Sequence, residues 1–376
     1  MHGDGQHDHS GPAATTSGGG RLRVLAIDIG AGTQDIVLYD SAQPVENAVK
    51  LVMPSQTQVV AARIREVTRA GRPLHLAGRL MGGGASSDAI AAHLAAGLPV
   101  SATPDAARTL HNRPERVAAL GVALREEAPA DAVVVALGDI DLAAIARALG
   151  EFGVAMPEVV AIAVQDHGYR PGAGNNDVRF EYLQGLIAGG GDLAGMVFTE
   201  PPPAMTRMAS VAASAPGAYL MDTGAAAVLG VLGDPVVGAA VRTTGAIVVN
   251  VGNMHTFAAL VRGRRLYGLF EHHTGGMTPE LLAALVEALR AGTLDAAGFA
   301  SRFDGHGAAI ADGYAADGPF PFVAITGPNR GRMRGLEYYE AAPHGDMMLA
   351  GSYGLVEGVC LALEAAGRPT GITLAR

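Results

Sequence analysis

Two short polar breaks in aliphatic runs carry the residues best suited to chemistry. Asp28, Gly30, Gly32, Thr33 and Gln34 interrupt RVLAIDIGAGTQDIVLYD (Arg23 to Asp40), and Asn250, Gly252 and Asn253 interrupt AIVVNVGNMHTFAALVRG (Ala246 to Gly263). Each break lies between two β-branched, aliphatic runs of strand length, so each predicts a hairpin. Glycine in such a turn lets successive backbone N–H groups point into one concavity, which suits a phosphate chain. Asp28, at the end of its strand, is then placed to face a hydrated Mg²⁺ through water. Asn250 at the matching position is a neutral amide that hydrogen-bonds but holds such a cation less strongly.

Two further groups of residues end strand-like runs. Ligands in open α/β sheets gather beyond the carboxyl ends of strands, and Asp166 and His167 follow the run Val159 to Gln165. Asp166 is a candidate to take a proton from an attacking hydroxyl or water, with His167 beside it. The plainer reading is an Asx-turn with an exposed histidine. Glu271, His272 and His273 close the run Arg265 to Phe270. Adjacent strand residues point to opposite sides, so Glu271 with His273 is the better pair for a metal or for proton transfer. His255, His306 and His344 lie beside glycines or turns and are candidates to converge on the same place. Asp139 and Asp141 close another run, where Asp141 can instead cap a helix, and Asp222 with Thr223 reads equally as an N-cap pair or as site residues.

These residues need a scaffold of alternating strands and helices. Helix-like stretches run from Gln56 to Gly71, Asp88 to Ala96, about Pro114 to Glu127, Leu142 to Phe152, Thr223 to Leu232, Thr278 to Gly292 and Gly345 to Ala366. Strand-like stretches fall at Leu74 to Met81, Val133 to Leu137, Phe322 to Ile325 and Leu336 to Ala341. The βαβα rhythm predicts an α/β fold with mostly parallel strands. The repeated hairpin implies two homologous halves rather than a solenoid of short repeats. We expect a disordered tail over 1–20, a first lobe over 21–216 carrying an α/β insertion, and a second lobe over 217–376. The Gly-, Pro- and Met-rich stretch Gly189 to Pro216 is the expected seam.

Composition narrows the class. A net charge of −9 without a basic, aromatic-laced stripe argues against nucleic acid, and no apolar run approaches the roughly 20 residues that span a bilayer. The tail holds His2, His7 and His9 but no apolar segment, so it reads as neither signal peptide nor anchor. One cysteine, Cys360, places disulfides and thiolate-ligated clusters within one chain out of reach and predicts a cytoplasmic protein.

The order of these motifs resembles that of the actin, sugar kinase and heat-shock chaperone ATPase superfamily. Asp28 to Thr33 resembles its first phosphate motif, Asn250 to Asn253 its second, and Val323 to Gly331, with Thr326, Gly327 and Pro328, its adenosine motif. Thr223 to Leu232 and Asp346 to Gly358 resemble its two connecting helices. Within the superfamily the chain most resembles a family labelled pyruvate formate-lyase activating enzyme-like, through MGGG, QDHG, EHHTGG and GHG. The resemblance implies a two-lobed actin-like fold of duplicated ribonuclease-H-like domains that binds ATP and Mg²⁺ between the lobes. It implies phosphoryl transfer to a small molecule, or alternatively an ATP-driven switch acting on a partner enzyme, or a metal-dependent group transferase. The activity in the family label is not expected, because a radical activating enzyme needs three closely spaced cysteines.

Overall fold

The computed structural model describes residues 21–174 and 176–372, so the tail over 1–20, with His2, His7 and His9, lies outside the described residues. The fold is α/β, with parallel and mixed sheets covered by helices. The first sheet has the order β3 (Val49–Pro54), β2 (Thr33–Asp40), β1 (Arg23–Ile29), β8 (Val159–Val164), β10 (Tyr219–Met221) and β9 (Val197–Phe198). The second has the order β14 (Gly307–Ile310), β13 (Arg265–His273), β12 (His255–Arg262), β11 (Ala246–Val251), β15 (Phe322–Thr326) and β16 (Tyr339–Glu340). In each, an antiparallel meander of three strands is extended from its first member by two parallel strands. The repeat read in the hairpins therefore extends to five strands of each sheet, and the sixth is added at opposite ends, β9 beside β10 and β14 beside β13.

A smaller parallel sheet has the order β6 (Val122–Leu124), β5 (Val100–Ala102), β4 (Leu74–Gly78) and β7 (Val133–Leu137). It builds its own core with α1 (Gln56–Arg69), α2 (Ala85–Ala95), α3 (Pro104–Ala107) and α4 (Pro114–Ala119). Here the expected helix Pro114 to Glu127 is cut short. Gly121 takes a φ of +89°, which ends the helix and releases Val122–Leu124 to pair with β5. Likewise Gly78 ends β4 early, because its φ is +94° and a Cβ there would lie 2.4 Å from the Leu137 carbonyl oxygen.

The remaining helices are α5 (Leu142–Gly150), α6 (Asp177–Ala188), α7 (Thr206–Ser214), α8 (Thr223–Val231), α9 (Pro235–Thr243), α10 (Pro279–Ala291), α11 (Phe299–Phe303) and α12 (Ala350–Ala365). The expected seam, Gly189 to Pro216, is more ordered than its composition suggests, since it contains β9 and α7. The chain leaves the first sheet only after β10, beyond the expected boundary at 216, because Tyr219–Met221 pairs in parallel with β8. The last helix starts at Ala350 rather than Gly345, leaving Asp346 to Met348 as loop. Among the described residues no single helix is long and apolar enough to cross a membrane.

Helices α8 and α12 form the layer that ties the two sheets together. α12 packs on β1, β2, β8 and β10, while α8 touches β1, β8 and β11. α8 is buried all round from Ala225 to Val231, as expected of a helix with no polar face. The pair crosses backbone to backbone. A Cβ on Gly354 would lie 1.7 Å from the Ala226 carbonyl oxygen, and one on Gly230 would lie 1.7 Å from that of Ala350. Such an approach admits no side chain, so Gly354→Ala must push the helices apart, at a cost of about 3 kcal/mol in denaturant unfolding. Gly185→Ala, on an exposed helical site with open space around it, is the contrast and should gain about 0.5–1 kcal/mol. A Gly354→Ala protein as stable as the parent would refute the close crossing.

Candidate functional site

The two hairpin loops face each other. Gly30 N–H donates to the Thr33 carbonyl at 2.8 Å, and Gly252 N–H donates to the His255 carbonyl at 2.9 Å, so both loops are closed by the same four-residue bond. Across the gap, a Cβ on Gly32 would lie 3.7 Å from Asn253 Nδ2. The space between them is a cavity of about 300 Å³. Of the residues expected there, Asp28, Gly30, Thr33, Asn250, Gly252, Asn253, Gly327 and Pro328 line it. Gly32 stands at its edge.

Gln34 and Thr326 do not line the cavity. Strand alternation turns Gln34 away from Thr33 and Asp35, and its Nε2 donates to the Pro54 carbonyl at 3.0 Å. Thr326 is buried beside Asn250 in the parallel pairing of β15 with β11. Gly327 follows with a φ of +96°, and a Cβ there would meet Asn250 Oδ1 and the Val251 carbonyl oxygen at 2.5 Å each. Only glycine fits that turn.

Asp35 was not singled out as a site residue from sequence, yet it lines the cavity opposite Asp28. The two are cross-strand partners in the β1–β2 hairpin, so they share one face. Like charges directly opposite are unfavourable, and here both are buried with one oxygen each, Oδ1, lacking a partner. Burial first, then the neighbouring Asp35, pushes Asp28 well above the usual carboxylate range. Burial likewise raises Asp35 to about 6, against the hydrogen bond from Thr33. The equivalent pair in the second hairpin is Asn250 and Phe257, without an acid. The halves are alike in shape and unlike in charge.

Arg207 brings a cation to the cavity wall from α7. Its guanidinium is bidentate on Asp139, at 2.8 and 2.7 Å, and also donates to the Gln165 carbonyl at 2.9 Å. Asp139 in turn accepts from Gly82 N–H at 3.0 Å, and a Cβ on Gly82 would lie 2.5 Å from Arg207 Nη2. The glycines of MGGG thus make room for an arginine that sequence distance hid. Asp141 is the helix cap, accepting from Ala144 N–H at 2.9 Å.

Asp166 is not placed as a base. Its two oxygens accept from Gly168 N–H and Met208 N–H, at 2.8 Å each, which makes it an Asx-turn and a cap on α7. It is buried and does not line this cavity. His167 is not exposed either; its ring lies against both His255 and His306, with centroids 5.5 and 5.3 Å away, and those two rings touch each other at 4.3 Å. Burial, then Arg179, lowers it to about 3.

Glu271 and His273 do lie on one face of β13, which runs three residues further than expected, but they do not contact each other as a pair. Glu271 Oε1 meets His255 Nδ1 at 2.7 Å and Gln165 Nε2 at 2.6 Å, and Oε2 pairs with Arg179. Arg179 also donates to Asp222 Oδ1 at 2.7 Å, and Asp222 caps α8 through Gly224 N–H at 2.9 Å. Burial raises the Glu271 carboxyl, but Arg179 and His255 outweigh it and hold it down at about 2. His273 Nδ1 instead meets His306 Nε2 at 3.1 Å, and His306, lowered to about 4 chiefly by burial, is neutral at pH 7. His272 points to the other side, toward the Phe303 carbonyl at 2.6 Å. His344 packs against Tyr353 and stays outside this group.

The model of a family described as "Putative pyruvate format-lyase activating enzyme (DUF1786)" matches residues 81–332, more than half of the chain. The chain belongs to that family. No curated protein matches it.

The acid pair has a pH signature. Asp35 binds its proton more tightly folded, at about 6, than unfolded, near 3.8, so between these values the native state holds more protons and stability falls as pH rises. Asp35→Asn removes this burden. The variant should be more stable than the parent by about 1–3 kcal/mol at pH 7.5 in thermal or denaturant unfolding, with the advantage vanishing toward pH 4. A variant less stable at every pH would show that the carboxylate is compensated.

Proposed function

We propose that this protein is an actin-like, two-lobed enzyme that binds Mg·ATP in the cavity between the sheets and transfers the phosphoryl group to a small molecule. The observation that carries the reading is the pair of matching hairpin loops, one from each sheet, facing one cavity. A phosphate chain laid between them meets backbone and amide donors from both sides. Gly327 and Pro328, at the end of β15, line the same cavity and are the residues that the superfamily resemblance assigns to the adenosine.

The residues present fit a divalent cation. Two buried acids with unpartnered oxygens on one face, Asp28 and Asp35, favour an arriving positive charge over their own repulsion. Mg²⁺ at this place neutralises phosphate charge. Only the first hairpin offers carboxylates, so the cation belongs to that side of the cavity. Arg207, paired with Asp139, places a guanidinium in the wall. The acceptor end of the cavity is the region of Gln165, His255 and Glu271, and Asp166 with His167 supports this wall from behind.

A second reading is a nucleotide-driven switch that acts on a partner enzyme. The position of α8 and α12 against both sheets favours it, since movement at the cavity would be felt by both. The radical chemistry in the family description is not part of either reading, because Cys360 is the one cysteine and is buried in α12.

Calorimetric titration with Mg·ATP should give one site. Asp28→Asn, which relieves repulsion and keeps the fold, should weaken Mg·ATP binding by about tenfold or more. Asn253→Ala should weaken it less. Unchanged affinity in Asp28→Asn would sink the nucleotide assignment, and a steady ATP turnover that needs an added protein rather than a small molecule would decide for the switch.

A further inference from the structure

We propose that His255, Glu271 and His306 form a binding site for one first-row divalent transition-metal ion, separate from the cation place at Asp28 and Asp35. One ligand atom from each of the three residues lies within 4.8 Å of the others. Two imidazoles and a carboxylate are a donor set suited to zinc or iron(II), with positions left for a substrate oxygen. They come from three strand or loop positions: the start of β12, the end of β13, and the Gly305-His306-Gly307 turn.

Two features of the cluster are explained by a cation and not by protons. Gln165 Nε2, His255 Nδ1 and Glu271 Oε1 are mutually in contact, with distances of 2.5, 2.6 and 2.7 Å. If His255 Nδ1 carries hydrogen it faces the Gln165 amide donor to donor, and if it does not its lone pair faces the carboxylate, so one edge of the triangle is left without a donor–acceptor match. A metal ion takes the lone pairs of His255 and Glu271 together, and Gln165 stays as a neighbour of the carboxylate. The second feature is Asn176. Its amide lies 2.9 Å from His306 Nδ1 and its Oδ1 is buried without a partner. With the amide turned, Oδ1 accepts from Nδ1–H, the usual support for a metal-binding histidine, and His306 Nε2, which faces His273 Nδ1 at 3.1 Å, keeps a lone pair for the ion.

The local backbone is built to bring His306 in. A Cβ on Gly305 would lie 2.4 Å from the Phe299 ring, and one on Gly307 would lie 2.6 Å from the Phe180 ring. His255 and Glu271 line the large cavity, so an ion held there has an open side toward it. That ion would bind and polarise an oxygen of the acceptor, a role that rests on the phosphoryl-transfer reading, whereas the metal site itself does not.

The test uses full-length protein in which His2, His7 and His9 are replaced by Ser, so that the tail contributes no ligand. Metal-free protein is titrated with Zn²⁺ alone, without nucleotide, and with Co²⁺ while visible absorption is recorded. One equivalent of Zn²⁺ with a sub-micromolar Kd, and Co²⁺ bands in the visible, are expected. His306→Gln and His255→Gln should remove the bands and weaken Zn²⁺ by more than about 100-fold, Asn176→Ala, a positioning residue, by about 10-fold, and His111→Gln, in the loop between α3 and α4 where its Nδ1 accepts from Arg113 N–H at 2.9 Å, not at all. Circular dichroism checks that each variant is folded. Binding that both histidine variants leave unchanged, or no binding tighter than about 100 µM, overturns the proposal. Because no nucleotide is present, failure here leaves the Mg·ATP reading standing, and absence of ATP binding leaves the metal count untouched.

Discussion

The structure depends on a contact that contains no side chain: the crossing of α8 and α12 at Gly230 and Gly354. A hypothetical Cβ would lie 1.7 Å from the facing carbonyl oxygen on either helix, so the two backbones meet with no room for a side chain. α12 covers the first sheet while α8 touches β1 and β8 of that sheet and β11 of the second, so the crossing fixes how the helix that bridges the sheets is held. One turn toward the start of α12, Gly351 sits where a Cβ would be 1.9 Å from Asp28 Oδ2. The same helix that covers the first sheet therefore also seals one wall around the buried acid.

Duplication explains the shape of the cavity, and divergence explains its polarity. Both hairpins close with the same bond, and both sheets extend in the same order, so their loops meet as related surfaces. If both had kept an acid pair, the cavity would hold four buried carboxylates and repel the phosphates proposed to lie there. With Asp28 and Asp35 opposed by Asn250 and Phe257, the acid pair stays on one side and the second hairpin supplies an amide and apolar surface, while Glu271 of the second sheet, which also lines the cavity, is paired with Arg179. Arg179 and Arg207 compensate the remaining acids behind the wall, each by pairing with carboxylates rather than standing free.

Much of this was legible in the chain, and the limits have physical causes. The two hairpins could be read because a strand pattern and its glycine turn are local, and Gly327 was marked by the strand before it. Asp166 misled because an acid at a strand end has the same sequence signature whether it faces a ligand or caps a helix. The difference lies in Met208 N–H, on a helix that composition disguised as irregular chain. Asp35 was hidden by the hairpin itself, since the cost of facing Asp28 appears only once the register is known. His306 and Asn176 stand in separate loops, and only the pairing of β13 with β14 brings His306 beside Glu271. Alternation along β13 did separate His272 from its neighbours, but not which partner each neighbour would take.

The hydrogen bond from Ser352 Oγ to the Asp35 carbonyl, 2.6 Å long, joins residues 317 positions apart. It belongs to a helix that closes a sheet begun at Arg23, so a ribosome has emitted nearly all of the described chain before that sheet acquires its covering layer. Until then α8 alone covers part of that face of β1 and β8, and contacts of such long range are slow to form. The topology that aligns two half-sites on one cavity thus also ties completion of the first sheet's cover to the last helix of the described chain.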